Sequence, residues 1–157
     1  MGLHRSSRIA GLGRYVPRRV LTNADLERMV DTTDEWITVR TGIKERRVAA
    51  PEEATSDLAL EAAREALERA GVDAAALDLI LVGTASPDMI FPATACLVQE
   101  RLGAKRAGAV DISAACSSFV YALGLAHAQI VAGLAERVLV VGADTLSRIT
   151  NWKDRAT

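Results

Sequence analysis

The sequence contains few of the residues that several classes of protein require. Two cysteines, Cys96 and Cys116, occur among 157 residues, which argues against a disulfide framework and favours a reducing compartment. With only two histidines besides, no metal-ligand spacing is recognisable, and we expect no metal. The net charge is −1 with acidic and basic residues interspersed, so we expect no nucleic-acid or membrane-surface partner held by bulk charge.

The pattern also contains no targeting or membrane-spanning signal. Residues 1–7 are polar and basic and lack the apolar core of a signal peptide. Residues 112–135 carry no charge and are long enough to cross a bilayer, but they include three serines, a histidine and a glutamine. A helix buried inside a protein, apolar on all faces, is the better interpretation. We therefore expect a cytoplasmic protein.

Half of the residues are hydrophobic, which is enough for one domain with a sizeable core over residues 1–157. Continuous apolar runs predict buried strands, and segments with one apolar face predict helices between them. Strands alternating with helices indicate an α/β fold with a parallel sheet and right-handed crossovers. The predicted strands are 9–13, 79–84, 107–110 and 137–143, and the predicted helices are 23–29, 34–41, 55–70, 92–102 and the long stretch after residue 116.

One predicted helix, 34–41, carries an aromatic and a cationic side chain on the same face. Thr33 can cap its first turn and Gly42 can end it. Trp36 and Arg40 are four residues apart, so they are neighbours on the helix surface. The pair could clamp a nucleotide base by stacking and cation–π contact. In the alternative, an ordinary amphipathic helix, Trp36 is buried and Arg40 pairs at the surface, and the residues alone favour that alternative.

The basic group at residues 44, 46 and 47 is interrupted by an acidic residue and is interpreted as a solvated loop. A different stretch, 111–119, with the sequence Asp-Ile-Ser-Ala-Ala-Cys-Ser-Ser-Phe, is the best candidate for chemistry. Cys116 falls between a predicted strand and a long helix, where the helix dipole and the free N–H groups of the first turn favour a thiolate. Its small neighbours leave the sulfur open. A small buried cysteine without a chemical role is an equally good interpretation of these residues alone.

The pattern Asp-x-x-Ala-Ala-Cys, followed by Phe119 and 121–123, resembles the nucleophile motif of β-ketoacyl-acyl carrier protein synthase III, a thiolase-like condensing enzyme. Three further stretches match in the same order, namely 22–26, 34–43 and 154–155. The resemblance covers nearly the whole chain from residue 9 onwards. It implies a thiolase-like fold with a mixed, mainly parallel sheet and a buried central helix. Residues 1–157 resemble the first of the two pseudo-symmetric halves of that fold.

The resemblance also implies roles for individual residues. Thr32, Trp36 and Arg40 match positions that contact the adenine end of coenzyme A, which reverses the preference stated above for the helix 34–41. Arg155 matches a position near the coenzyme A site. Phe91 matches a phenylalanine that reaches across a homodimer interface towards the partner's acyl pocket.

The activity implied by the resemblance is a condensation. Cys116 takes an acyl group from a short acyl-coenzyme A, and the complete enzyme condenses that group with malonyl-acyl carrier protein to start a fatty acid. Acyl-coenzyme A is a substrate, and no cofactor is implied. The family's catalytic His and Asn belong to the second half and match no residue of this chain. A related condensing enzyme of polyketide-type synthesis, or a non-catalytic half-protein that binds a partner chain, are the alternatives.

Neither histidine of the chain is a credible base for Cys116, which argues against a cysteine hydrolase. His127 lies 11 residues further along the predicted helix, on the order of 16 Å away at a rise of about 1.5 Å per residue. That distance exceeds hydrogen-bond reach, so we expect a core or interface histidine. His4 lies close to the start of the sequence. Apolar surface that a second half would cover predicts poor solubility or obligatory association of this chain.

Overall fold

The computed structural model describes residues 5–155, so His4 lies outside the described residues. The chain forms two compact units. Within the described range, the small unit comprises 16–53 and 145–155, and the sheet unit comprises 5–15 and 54–144.

The small unit consists of a two-stranded antiparallel ribbon and two short helices. Its elements are β1 (Arg19–Thr22), α1 (Asn23–Glu27), α2 (Asp34–Thr41) and β2 (Glu45–Val48). β1 pairs with β2 so that Arg19 lies opposite Val48 and Thr22 lies opposite Glu45. The basic group that was interpreted as a solvated loop therefore lies largely in β2. The ribbon was missed because neither strand shows the alternation of apolar and polar residues that marks a half-buried strand.

Both helices of the small unit begin at the predicted residues, and α2 also ends where predicted, whereas α1 ends at Glu27 instead of residue 29. The Thr22 hydroxyl accepts a hydrogen bond from the Asp25 N–H at the start of α1. The Thr33 hydroxyl accepts one from the Trp36 N–H at 3.1 Å at the start of α2. α2 ends at Gly42, whose φ of 71° is readily adopted by glycine.

The sheet unit contains a three-stranded parallel sheet with helices between its strands. Its elements are α3 (Thr55–Ala70), β3 (Leu79–Gly83), α4 (Thr94–Leu102), β4 (Gly108–Ile112), α5 (Ser118–Val131) and β5 (Val138–Gly142). The strand order is β4-β3-β5, and all pairs are parallel. Leu79 of the central strand lies level with both Gly108 and Val138. The predicted α/β fold with a parallel sheet is confirmed.

The core of the sheet unit lies on both faces of this sheet. On one face, Ile80 of β3 packs with Ala63 of α3 and Val98 of α4. On the other face, Leu81 packs with Ala122 and with other residues of α5. Successive residues of a strand point to opposite faces, so a continuous apolar run such as 79–83 is what a strand covered on both sides requires.

The expectation that α5 is buried on all faces is not met in this chain. Its buried residues, Ser118, Ala122 and Ala126, are spaced four apart and form one stripe against the sheet. On the other side, Val120 is 68% exposed and Tyr121 is 65% exposed. The sheet covers a single face of the helix, and a charge-free sequence by itself does not say how many faces are covered. None of the helices among residues 5–155 has the length and apolar character needed to span a membrane.

Two predicted elements differ from those in the structure. Residues 9–13 form no strand within the described chain and lie instead against α3. A Cβ at Gly11 would overlap the carbonyl oxygen of Ala66, which explains why glycine is needed there. The helix predicted from residue 92 begins at Thr94, after a cis bond between Phe91 and Pro92.

Candidate active site

Cys116 lies on a strained turn between β4 and α5. The turn is a short 3-10 helix, Ala115–Ser117, and the cysteine is exposed. Ala115 has a φ of 48°, and among residues 5–155 it is the one non-glycine residue with a positive φ. A non-glycine residue in this conformation costs about 1–3 kcal/mol and persists where surrounding contacts enforce it, which happens most often at functional sites.

The side chain of Ser118, the first residue of α5, holds this turn together. Its hydroxyl accepts a hydrogen bond from the Ala114 N–H at 2.8 Å and donates one to the Ala115 carbonyl oxygen at 2.7 Å. The residue is 3% exposed, so water hardly competes for these bonds. The Ala115 carbonyl also accepts a hydrogen bond from the Ser118 backbone N–H. Ser118 therefore contributes two donors to one carbonyl of the turn.

Two glycines allow the start of α5 to approach the carboxyl edge of the sheet. A Cβ at Gly83, the last residue of β3, would lie 2.9 Å from the Phe119 nitrogen and 2.9 Å from the Ser118 Cβ. A Cβ at Gly142, the last residue of β5, would lie 3.1 Å from the Phe119 Cβ. In parallel α/β sheets, sites form outside the carboxyl ends of the strands, and the missing Cβ atoms bring Cys116 to that edge.

Two carboxylates fix the loops at the same edge. Asp111 accepts hydrogen bonds from the backbone N–H groups of Thr94 at 2.7 Å and Ala95 at 2.8 Å, and it thereby caps α4 from the neighbouring strand. Asp144, just after β5, accepts bonds from the backbone N–H groups of residues 85 and 86. In the sequence, Asp111 stood out only as part of a motif, and Asp144 did not stand out at all. The usable signal was an aspartate at or just beyond the end of an apolar strand.

A cavity of about 820 Å³ lies beside the turn within the sheet unit. Its walls come from β5, α3, α5 and residues 7–13, and Cys116 and Phe119 are among the lining residues. The cysteine therefore borders a space as well as the solvent.

His127 is exposed and lies on the wall of the same cavity, so it is not a core histidine in this chain, and its predicted place at an interface stays a prediction. Its Nδ1 is 2.8 Å from the hydroxyl of Ser7. Within residues 5–155, no group of three or more His, Cys, Asp or Glu side chains is placed to hold a metal ion.

In the small unit, two arginines converge on one tryptophan. The guanidinium carbons of Arg40 and Arg155 each lie 4.4 Å from the centre of the Trp36 ring, within cation–π distance. Arg155 also donates a hydrogen bond to the Asp31 carbonyl at 3.0 Å, next to the half-buried Thr32. Residues that were predicted from separate stretches of sequence thus form one cationic and aromatic cluster, and the alternative with a core tryptophan is wrong because Trp36 is 38% exposed.

Phe91 lies in the bend before α4 and is 87% exposed. Its neighbour Ile90 is 99% exposed. The described residues bury neither side chain, so both are free to contact another protein surface.

Comparison with known proteins agrees with this geometry. Residues 110–157 match the family described as 3-Oxoacyl-[acyl-carrier-protein (ACP)] synthase III. A curated relative from Xylella fastidiosa, named Beta-ketoacyl-[acyl-carrier-protein] synthase III, is 62% identical over 151 residues, which are 96% of this chain and 47% of the relative. A relative of the same name from Caldanaerobacter subterraneus is 58% identical over 149 residues, 95% of this chain and 45% of the relative.

Solved structures give the same result. The crystal structure of the synthase III from Aquifex aeolicus is 55% identical with a TM-score of 0.92, over 96% of this chain and 48% of that chain. The priming β-ketosynthase of a polyketide biosynthetic pathway is 39% identical with a TM-score of 0.94, over 97% of this chain and 46% of that chain.

Nearly the whole chain is similar to β-ketoacyl-acyl carrier protein synthase III. It spans about half the length of the curated relatives that it matches. The thiolase-like fold inferred from the Cys116 motif is confirmed by the synthase III structures. The candidate residues divide between the units: Cys116 and Phe91 lie in the sheet unit, whereas Trp36, Arg40 and Arg155 lie in the small unit.

Proposed function

We propose that this chain carries the acyl-accepting part of a condensing enzyme in fatty acid synthesis, with Cys116 as the nucleophile. The observation that carries the proposal is the exposed cysteine on the strained turn at the start of α5. The sulfur lies just before α5, where the helix dipole favours the negative charge that develops on the reacting atoms. A structural cysteine would be buried, and its turn would need no strained residue.

The proposed reaction is transfer of a short acyl group from coenzyme A to the cysteine. The Cys116 thiol gives its proton to water, and the resulting thiolate attacks the thioester carbonyl carbon. The new S–C bond forms, and the carbonyl electron pair moves to oxygen. When the carbonyl re-forms, the bond to the coenzyme A sulfur breaks, and coenzyme A leaves as a thiolate that takes a proton from water. Positioned N–H donors near Cys116 lower the barrier because they stabilise the oxyanion between these two steps.

Coenzyme A would be held in part by the cluster of the small unit. Arg40 and Arg155 supply permanent positive charge and flat guanidinium groups, and Trp36 supplies an aromatic face. This combination suits an adenine nucleotide with its phosphates, and Thr32 is the further proposed contact. No cofactor is proposed.

The second substrate and the assembly are proposals from the named relatives. The acylated cysteine would be condensed with malonyl-acyl carrier protein, and residues 1–157 would correspond to the N-terminal half of the enzyme. The exposed Phe91 is proposed to reach across a homodimer interface into the partner's acyl pocket. A priming enzyme of polyketide synthesis is the second candidate, favoured by the 39% identity to such a ketosynthase. A non-catalytic half-protein that binds a partner chain is the third.

The test is intact-protein mass spectrometry after incubation with acetyl-coenzyme A. We expect one acetyl adduct on the wild-type chain, and no adduct on Cys116→Ala. Cys96→Ser is the matched control, because Cys96 lies half-buried on α4, and this variant should keep the adduct. No adduct on a folded wild-type sample, or an adduct that survives Cys116→Ala, would contradict the assignment of the nucleophile.

A further inference from the structure

The turn that presents Cys116 is closed by one buried hydroxyl that bonds on both sides of its strained residue. We propose that Ser118 is a positioning residue, which aims the backbone N–H of Cys116 at the oxyanion formed during acyl transfer. This inference rests on the proposed role of Cys116 as acyl acceptor. The Ser118 hydroxyl would then orient the oxyanion donor, although Ser118 is not one of the residues of the Asp-x-x-Ala-Ala-Cys pattern.

The peptide unit between Ala115 and Cys116 links the Ser118 side chain to the proposed oxyanion donor. The carbonyl of Ala115 and the N–H of Cys116 belong to the same planar group, and in a trans peptide they point in opposite directions. The Ser118 hydroxyl holds the Ala115 carbonyl oxygen at 2.7 Å, and the Ser118 N–H bonds to the same oxygen. Fixing one end of the peptide unit fixes the other, so the Cys116 N–H points away from Ser118.

The Ser118 hydroxyl also holds the strained backbone of Ala115. Its φ of 48° is a conformation from which a non-glycine residue relaxes unless it is held. The Ser118 hydroxyl also accepts a bond from the Ala114 N–H at 2.8 Å, so a single oxygen joins the peptide group before Ala114 to the peptide group after Ala115. A change in the backbone angles of Ala114 or Ala115 would move these two groups apart and break one of the bonds. The hydroxyl therefore holds the strained conformation in place.

Burial and packing keep the Ser118 hydroxyl in place. Ser118 is 3% exposed, and its Cβ occupies the space beside Gly83, where a Cβ would come within 2.9 Å of it. The side chain is confined by packing and has little access to water. A donor that is aligned before the reaction needs no reorganisation when the oxyanion forms, and this alignment is the source of its catalytic effect. Removing a whole oxyanion donor costs on the order of 10²–10³ in rate. Loss of one of the two bonds that orient the donor should cost less, about tenfold.

The test compares two reactions of the same sulfur. Acetylation by p-nitrophenyl acetate passes through an oxyanion, whereas alkylation by iodoacetamide displaces iodide at a saturated carbon and forms none. With the background rate of Cys116→Ala subtracted, we expect Ser118→Ala to slow acetylation about tenfold and to leave alkylation within about twofold of wild type. Ser117→Ala is the matched control, because Ser117 is exposed and its side chain makes no cap hydrogen bond, and both its rates should be unchanged.

A second pair of variants isolates the hydroxyl if truncation destabilises the turn. Ser118→Thr and Ser118→Val have nearly the same shape and crowd Gly83 equally, and the threonine keeps the hydroxyl. The ratio of acetylation to alkylation should be retained in the threonine variant and fall in the valine variant. Equal slowing of both reactions, or no change in the ratio for either pair, would overturn the positioning role. Because p-nitrophenyl acetate contains no coenzyme A, a failure of the wild type with acetyl-coenzyme A would contradict the proposed function without affecting this result.

Discussion

At the scale of single residues, the position of the candidate nucleophile depends on the absence of a side chain at Gly83. We predict that Gly83→Ala lowers the free energy of unfolding by about 1–3 kcal/mol, the usual cost of overpacking. Its Cβ would lie 2.9 Å from the backbone of Phe119, which is not a flexible side-chain end that can turn aside. Urea denaturation followed by circular dichroism measures the change.

The matched control is a second glycine of the same region. Gly124 lies inside α5, and nothing lies within 4 Å of a Cβ built there. Gly124→Ala should therefore raise the free energy of unfolding by about 0.5–1 kcal/mol, since alanine favours a helix more than glycine does. A loss of stability in both variants would show that the effect does not come from the close contact at Gly83.

The proposed coenzyme A contacts give a second prediction for single residues. In a Trp152→Phe background, Trp36 is the remaining tryptophan, and its fluorescence reports binding at the cluster. We expect coenzyme A to change this fluorescence, and Arg40→Ala or Arg155→Ala to raise the Kd about two- to fivefold, since each would remove one exposed cation. Pantetheine, which lacks the nucleotide, should give the same weak response with all variants. Equal Kd values for coenzyme A across the variants would exclude the cluster as its site.

At the scale of elements, β5 is joined to β3 by a carboxylate as well as by the strand ladder. Asp78, just before β3, accepts hydrogen bonds from the backbone N–H groups of Arg137 at 2.9 Å and Glu136 at 2.8 Å. These bonds, the one from Arg137 first, hold the pKa of Asp78 below its ordinary value. A lowered pKa in the folded state means that the stabilisation is present at neutral pH and is lost as the pH falls through the folded-state pKa.

We therefore predict that Asp78→Asn lowers the free energy of unfolding at pH 7 by no more than about 1 kcal/mol, the net worth of a hydrogen bond. The difference from wild type should shrink as the pH falls below about 4, near the pKa of an unfolded-state aspartate, and should vanish once the pH has passed the lower folded-state pKa. Urea denaturation at pH 7 and at a series of acidic pH values measures it. Glu100→Gln, an exposed acid on α4, is the control and should show no such pH-dependent difference. A constant difference at all pH values would contradict the role of the charge.

At the scale of the whole molecule, the uncovered face of α5 should determine how the chain behaves in solution. Val120 and Tyr121 are more than 60% exposed on a helix without a charged residue. Contiguous exposed apolar side chains favour association, so we predict a mass that increases with concentration in size-exclusion chromatography with light scattering. Val120→Lys should reduce this association without changing the cavity, which Val120 does not line. A stable monomer across the concentration range would contradict the prediction.

The sequence by itself determined the local structure of this chain. The cap at Thr33 and the turn at Gly42 act within a few residues, so their types and spacing were sufficient to predict where α2 begins and ends. The apolar run 79–83 likewise identified a strand covered on both faces. The Cys116 motif indicated the similarity to synthase III because its residues are close together in the chain.

Only the tertiary structure decided which distant groups meet. Asp111 caps a helix that begins 17 residues earlier, and Asp144 bonds to a loop more than 50 residues away, so no local spacing predicts either contact. The exposure of one face of α5 depends on which elements cover it, and a charge-free sequence does not record that. The bonds of Ser118 depend on a strained φ at Ala115 and on the space beside Gly83, and both arise only when the helix is packed on the sheet.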